Sequence, residues 1–381
     1  MGTSEPEPQG RVEWFLGPLF TRYSVIEFRG GTIFRGPASS YCQAHRREVE
    51  DGLRRLGSKH CFESLDGVTY LTCTLPGPAA KPVNRLLHAV LFAATVVTTL
   101  VAGADWRFDE FLIALGGSLT GASGSEPLGS LWSSLLTHGA PFSAAILVIL
   151  GVHECGHYVL ARRYGMLVTP PFFLPAPIPP IGTFGAVIKI RSPMLHRRAL
   201  LDIGLAGPVA GFVVALPILI YGLSHCEFVL KEQVERHLGV LFGNSALTWG
   251  LTRLLVGVPP PGYVLNWLSN PFAWAGWIGL LVTALNLLPV GQLDGGHIAY
   301  ALVGRWQRHF AYFVLGVLLV FLKRWPGWAV WGIVMIALIR IAHPPVVIEE
   351  VRLSPGRRVL GWVAMGLLLA TFIPVPVASV P

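Results

Sequence analysis

Charge is scarce in this chain. Only 13% of its 381 residues are Asp, Glu, Lys or Arg, against roughly 25% in soluble globular domains, and that deficit excludes an ordinary water-soluble fold. Acidic residues are the rarer sign, 21 against 29 Lys and Arg, giving a formal net charge of +8. The basic excess does not describe a nucleic-acid surface, because the basic residues cluster beside apolar runs rather than among aromatic stacking platforms; they read as membrane-flanking anchors, and no nucleic-acid partner is expected. Cysteine is sparse too. Cys42, Cys61, Cys73, Cys155 and Cys226 form no C-x-x-C pair, so neither a disulfide framework nor a zinc ribbon is indicated, and a reducing cytosolic setting suits the first three. Residues 1–13 are polar, with Glu5, Glu7, Arg11 and Glu13, and lack the apolar stretch of a cleavable signal peptide.

What is present is hydrophobic: 52% of residues are apolar and the mean hydropathy is +0.57. The pattern predicts an α-helical polytopic membrane protein lying in a lipid bilayer. About seven apolar stretches are expected, at 86–102, 141–160, 200–223, 272–289, 310–322, 328–341 and 359–373, the fifth and sixth short for a bilayer core of about 30 Å. Ahead of them, residues 1–80 read as a small soluble α+β domain: alternating segments 23–28, 32–34 and 68–73 with a charged helix over 44–56, closed by a Pro/Gly linker at 76–82. Residues 81–381 form the membrane domain, with its core at about 141–297. Lys81 and Arg85, Arg162 and Arg163, Arg197 and Arg198, and Arg305 and Arg308 all fall on one side of these spans, which the positive-inside rule makes the cytoplasm. The N-terminal domain then lies there too, the loop with Asp105, Asp109 and Glu110 lies outside, and Lys323 and Arg324 run against the pattern. A multi-pass protein of a bacterial inner or cell membrane is expected.

Inside the second apolar stretch stands His153-Glu154-Cys155-Gly156-His157. On a helix, two histidines four apart share one face and reach a single Zn²⁺, while the glutamate between them serves the metal's water as a base. Two imidazoles and a carboxylate among apolar neighbours, without a common partner, would be costly. A catalytic zinc takes a third protein ligand. Acidic residues in the spans are nearly absent apart from Glu154, Asp202 and Asp294, and Asp294 sits in 285–297, where Pro289, Gly291, Gly295 and Gly296 break the helix; such irregular backbone at membrane depth is tolerated where it lines a cavity. Asp294 is therefore the expected third metal ligand, with His297 as its rival. Asp202, beside Arg197 and Arg198, reads as a solvated ion-pair partner, Gly204, Gly207 and Gly211 as a strip for close helix packing, and Cys155 as off the ligand face.

The pairing of His153-Glu154-x-x-His157 with Asn286-x-x-Pro289-x-Gly291-x-x-Asp294-Gly295 resembles the site-2 protease family of intramembrane zinc metalloproteases (peptidase M50). The stretches 182–186, 205–211 and 286–296 are most similar to its branch of plant EGY-type proteases and bacterial relatives. The likeness runs over about 85–345, through His343-Pro344-Pro345, and no segment reads as a PDZ domain. The resemblance implies a core of three helices, 141–160, 200–223 and 272–294, flanked by further transmembrane helices, with one zinc ion per chain held by His153, His157 and Asp294 towards the cytoplasmic face. It implies Glu154 as the general base and acid, and Asn286 as a catalytic residue that hydrogen-bonds the substrate backbone or oxyanion; an Asn that binds helices together is the competing reading. The proline-dense segment 170–180 and the β-rich 183–190 look like the family's re-entrant β-loop, whose edge pairs with an unwound substrate strand, against the alternative of a loop resting on headgroups.

The expected activity is hydrolysis of peptide bonds within or near transmembrane segments, on a transmembrane-helix protein substrate: regulated intramembrane proteolysis, or trimming of leftover signal peptides and anchors. Two other classes stay open. A membrane prenyl-protein-type zinc protease also uses H-E-x-x-H, but the chain has no helical E-x-x-x-[DE] motif, since Glu349 and Glu350 lie outside any clear span. A non-proteolytic metal-binding transporter is separated from the first reading by testing for cleavage. A di-iron desaturase would need several His boxes, and one pair is present.

Overall fold

The computed structural model describes residues 16–28, 31–65, 67–76, 83–104, 128–177, 181–238, 240–339, 341–349 and 351–379. The polar residues 1–13, most of the Pro/Gly linker, the loop with Asp105, Asp109 and Glu110, and Glu350 lie outside the described residues.

The chain divides into two compact units, Met1–Val83 with Ile190–Pro193, and Asn84–Lys189 with Met194–Pro381. In the first, strands β1 (Ser24–Phe28), β2 (Gly31–Pro37), β3 (Lys59–Leu65) and β4 (Val68–Pro76) form an antiparallel sheet in the order β1-β2-β4-β3, with helices α1 (Ser40–Ala44) and α2 (Arg46–Arg55) between β2 and β3. Helix α2 is amphipathic: Val49 and Leu53, one turn apart, are buried and join Leu16, Leu19, Phe34 and Leu71 in a core, while Arg46 pairs with Glu50 on the open face at 3.0 Å. Strand β3 has no counterpart among the alternating segments expected from sequence.

The second unit is mainly helical. Helix α3 is Arg85–Gly103, and α4 (Leu128–Ser134) runs through a π-turn at Leu135–Gly139 into α5 (Ala140–Arg163). A hairpin follows, β5 (Phe172–Pro175) and β6 (Thr183–Val187), then α6 (Arg197–Leu223). Residues 224–270 form short pieces: β7 (Phe228–Leu230), α7 (Lys231–Leu238), β8 (Val240–Phe242), α8 (Ala246–Leu255) and β9 (Tyr263–Leu265). Next come α9 (Pro271–Asn286), α10 (Asp294–Val303), α11 (Gln307–Phe321), α12 (Gly327–Val334), α13 (Pro355–Thr371) and β10 (Val377–Ser379). Among the described residues three helical stretches are long and apolar enough to cross a membrane, Arg85–Gly103, Gly129–Arg163 and Arg197–Leu223, with Pro271–Asn286 and Gly327–Ala337 as shorter apolar helices. The chain is a membrane protein.

Local chemistry sets the ends that matter. Arg162 and Arg163 close α5, where cations meet the negative end of the helix dipole. Asn270 caps α9 by accepting from the backbone N–H of Phe272 and Ala273, with Pro271 in the first turn. At 1.5 Å per residue, the 16 residues of α9 reach about 24 Å, less than a bilayer core of about 30 Å. The helix expected over 272–289 thus stops at Asn286, ahead of Pro289, and a new helix begins at Asp294. Helices α5, α6 and α9 pack around Phe142, Ile146, Ile149, Leu219, Trp277 and Ile278. Small residues bring their backbones together: a Cβ on Gly276 would stand 2.7 Å from the Leu219 Cα, and one on Gly279 3.0 Å from Ile149 Cγ2.

Candidate metal centre

His153, Glu154 and His157 are all buried in α5. The Nε2 atoms of His153 and His157 lie 3.2 Å apart, and the Asp294 carboxylate faces both, Oδ2 at 3.3 Å from His153 Nε2 and Oδ1 at 3.2 Å from His157 Nε2. One ligand atom from each of the three residues falls within 4.8 Å of the others. His157 Nδ1 lies 2.7 Å from the carbonyl oxygen of Ile203 in α6. That bond places the proton on Nδ1 and leaves a lone pair on Nε2, aimed at the other two groups. Lone pairs of two imidazoles and a carboxylate converge, an arrangement that repels itself unless a cation sits among them. Tetrahedral Zn²⁺ with bonds of about 2.0–2.1 Å spaces its ligand atoms by roughly 3.3 Å, so the residues fit that ion.

The opposite wall is α6. A Cβ on Gly207 would fall on the His157 ring at Nε2, one on Gly211 would stand 3.1 Å from His153 Cβ and Nδ1, and one on Gly204 3.0 Å from His297 Cβ. The glycine strip is therefore more than a helix-packing device: it is the floor on which the His153 and His157 imidazoles lie. The signal was the four-residue glycine spacing, but nothing in the sequence said that the facing atoms would be histidine rings.

The loop 287–293 carries Asp294 to the site. Gly295 and Gly296 lie against its backbone, where a Cβ would collide with the carbonyl oxygens of Leu287 and Gly291. Fully buried Gln307 fastens it: its side-chain amide donates to the carbonyls of Pro289 at 2.9 Å and Ile341 at 3.3 Å, and its Oε1 accepts from the His343 N–H at 3.0 Å. Sequence reasoning missed Gln307, one polar residue at the head of an apolar helix.

The remaining candidates divide. Asn286 ends α9 with its side-chain amide 3.4 Å from His153 Nε2, at the edge of the centre. His297 does not join the three converging groups; its Nδ1 is 2.7 Å from His343 Nε2. Cys155 is exposed, off the ligand face. Glu154 lies buried beside His157, with Ile188, just past β6, next to its carboxylate. Asp202 departs from expectation. Instead of a solvated partner for Arg197 and Arg198, it takes a two-pronged bond from Arg357, Nε to Oδ1 and Nη2 to Oδ2 at 2.9 Å each, and another from the Tyr164 hydroxyl. Arg357 begins α13, 155 positions later, and no local pattern announces such a partner.

Two histidines a helical turn apart, a buried glutamate between them and a distant aspartate make a donor set of the kind that holds a catalytic metal. Residues 141–322 match the model of peptidase family M50, and the chain is similar to zinc metalloproteases of the EGY type. The probable zinc metalloprotease EGY2, chloroplastic, of Arabidopsis thaliana is 36% identical over 177 residues, 45% of this chain and 30% of its own length. EGY1, chloroplastic, of the same plant is 28% identical over 305 residues, 79% of this chain and 55% of its own length. EGY3, chloroplastic, of Oryza sativa subsp. japonica is 28% identical over 193 residues, 46% and 31% of the two lengths. The chain spans about a third to about half of the length of these curated relatives.

Proposed function

We propose that this protein is an intramembrane zinc metalloprotease that hydrolyses peptide bonds within or near transmembrane segments of membrane-protein substrates. The convergence of His153, His157 and Asp294 within 4.8 Å, with Glu154 buried beside them, carries the reading. Zinc held by these three residues supplies Lewis acidity, bringing the pKa of water towards neutrality and polarising the scissile carbonyl. Glu154 takes the proton of the attacking water at its carboxylate and returns it to the leaving amine. The Ile203 carbonyl holds the His157 ring in the tautomer that binds metal. Asn286 is placed to donate to the substrate backbone or the developing oxyanion.

A transmembrane helix hides its peptide bonds in its own hydrogen bonds, so it must unwind before it is cut. The β5–β6 hairpin is read as a re-entrant loop whose free edge holds the unwound strand by β-augmentation; the nearness of Ile188, just past β6, to Glu154 supports this by setting the hairpin beside the site. Helices α5, α6 and α9 form the three-helix core of the reading, with the other helices around it. The N-terminal unit is a cytosolic soluble domain, and the site opens to the cytoplasm of a bacterial inner membrane. Arg162, Arg163, Arg197 and Arg198 at the helix ends nearest the site favour that side. Nothing among the described residues favours a prenyl-protein protease or a transporter.

The test is cleavage of a transmembrane peptide by the purified chain and by Glu154→Gln, with zinc content measured in both. Normal zinc and at least a hundredfold loss of cleavage in the variant are expected; equal rates would remove Glu154 from the mechanism.

A further inference from the structure

We propose that the apolar groove between the β5–β6 hairpin and α9 receives a bulky aromatic or branched aliphatic side chain of the unwound substrate beside the scissile bond, making the protein selective for such residues. The inference rests on the proteolytic reading above.

The groove encloses a cavity of about 320 Å³, within the range of small-ligand sites. Trp274 and Trp277 of α9, Phe184 of β6 and Trp331 of α12 wall it. Leu150 and Leu285 also line it. Leu150 stands one turn before His153 in α5, and Leu285 directly precedes Asn286, so the lining adjoins in sequence two of the residues at the centre.

The α9 wall is rigid. Trp277 Nε1 donates to the Gly243 carbonyl at 2.9 Å, Trp274 and Trp277 stack with centroids 5.0 Å apart, and Phe242 packs against both rings. A fixed aromatic surface selects by shape, and shape is what can discriminate here. Lipid tails are as apolar as the groove, so a side chain arriving from the bilayer gains packing rather than a hydrophobic transfer. A large side chain fills the space, while a small one leaves it unfilled.

The opposite wall says what kind of chain fits. Strand β6 belongs to a two-stranded sheet, and among the described residues no strand pairs with its other edge. Unpaired backbone groups at membrane depth need hydrogen-bond partners. A lipid tail offers none, whereas an extended peptide offers a full ladder. The register adds a second mark. Leu174 pairs with Gly185 and Pro175 with Thr183, so Phe184 is bulged out of the pairing and stands 69% exposed on the groove wall. A bulge beside an active site re-aims a side chain. Successive side chains of an extended substrate point to opposite faces, so one set meets the groove.

The test uses the full-length zinc-loaded protein in nanodiscs and a series of transmembrane peptides in which each position around the cut is Ala, Leu, Phe or Trp. At one position the wild type is expected to prefer Phe to Ala by roughly tenfold or more in kcat/KM. Leu281 of α9 also lines the groove; Leu281→Trp, which narrows it, should reverse that ratio, and Trp331→Ala, which widens it, should move the preference from Phe to Trp. An unchanged Phe/Ala ratio in both variants, with the peptides still cut, overturns the proposal, as does a lipid chain that co-purifies in the groove and whose removal leaves the ratio unaltered. Failure of the proteolytic reading looks different: the wild type cuts no peptide and Glu154→Gln cannot be told from it, and then both readings fall.

Discussion

Gly207 faces His157 so closely that a methyl group on its Cα would collide with the His157 Nε2 atom. The smallest possible addition to α6 therefore acts on the metal site directly. Gly207→Ala is expected to lower zinc content and to cut proteolysis about a hundredfold, the scale of a displacement near 1 Å in a catalytic group. Gly211→Ala, whose new carbon would stand 3.1 Å from His153, should do less. Metal analysis and peptide cleavage on the two variants check the order; equal behaviour would mean that α6 yields more easily than its packing implies.

Metal removal should be reversible and should report on the same three residues. A strong chelator is expected to abolish cleavage and lower the thermal midpoint, since a ligand that binds only the folded state stabilises it, and added Zn²⁺ should restore both. In Asp294→Asn the midpoint should no longer respond to zinc. A zinc-dependent midpoint in that variant would point to ligands elsewhere.

The Asp202–Arg357 pair joins α6 to α13, with Tyr164, just past α5, on the same carboxylate. A bidentate, partly buried pair with a third donor contributes more than a surface ion pair. Asp202→Asn should cost about 1–3 kcal/mol of stability. The effect should be non-additive with Arg357→Gln in a double-mutant cycle read by unfolding in detergent; simple additivity would show that the pair contributes little.

In the N-terminal unit, burial pushes the Cys73 thiol up to about 12, from an ordinary value of 9.0. Because the folded value lies above the unfolded one, the stability held by the neutral thiol is complete below pH 9 and is lost as pH rises from about 9 towards 12. Alkylation of the native protein at pH 8 should mark exposed Cys61 first and leave Cys42 and Cys73 unmodified until denaturant is added. Mass spectrometry of the modified peptides reads this directly, and rapid labelling of Cys73 would contradict its burial.

Much of the centre was legible because its chemistry is improbable in its setting. His153, Glu154, His157 and Asp294 are polar groups in apolar stretches, and few other acidic residues stand at membrane depth, so scarcity alone brought two segments 137 positions apart into one hypothesis. Gln307 and the Arg357 partner of Asp202 were not legible, because their partners are backbone atoms or side chains fixed only by tertiary packing. Strand β3 was hidden for another reason. Lys59-His-Cys-Phe-Glu-Ser-Leu65 lies at the edge of its sheet, where charged residues are favoured, and the clean alternation of a half-buried strand is blurred. The long apolar run over 272–289 concealed a helix end, since composition does not distinguish a continuous span from one that stops at Asn286 and restarts at Asp294.

That the proposed ligands come from distant segments also governs when the centre can assemble. His153 and His157 emerge from the ribosome first, and Asp294 follows 137 positions after His157. At about 5–20 residues per second, the interval lasts roughly 7–27 s. For that time the proposed centre lacks its third ligand and cannot close around a metal ion.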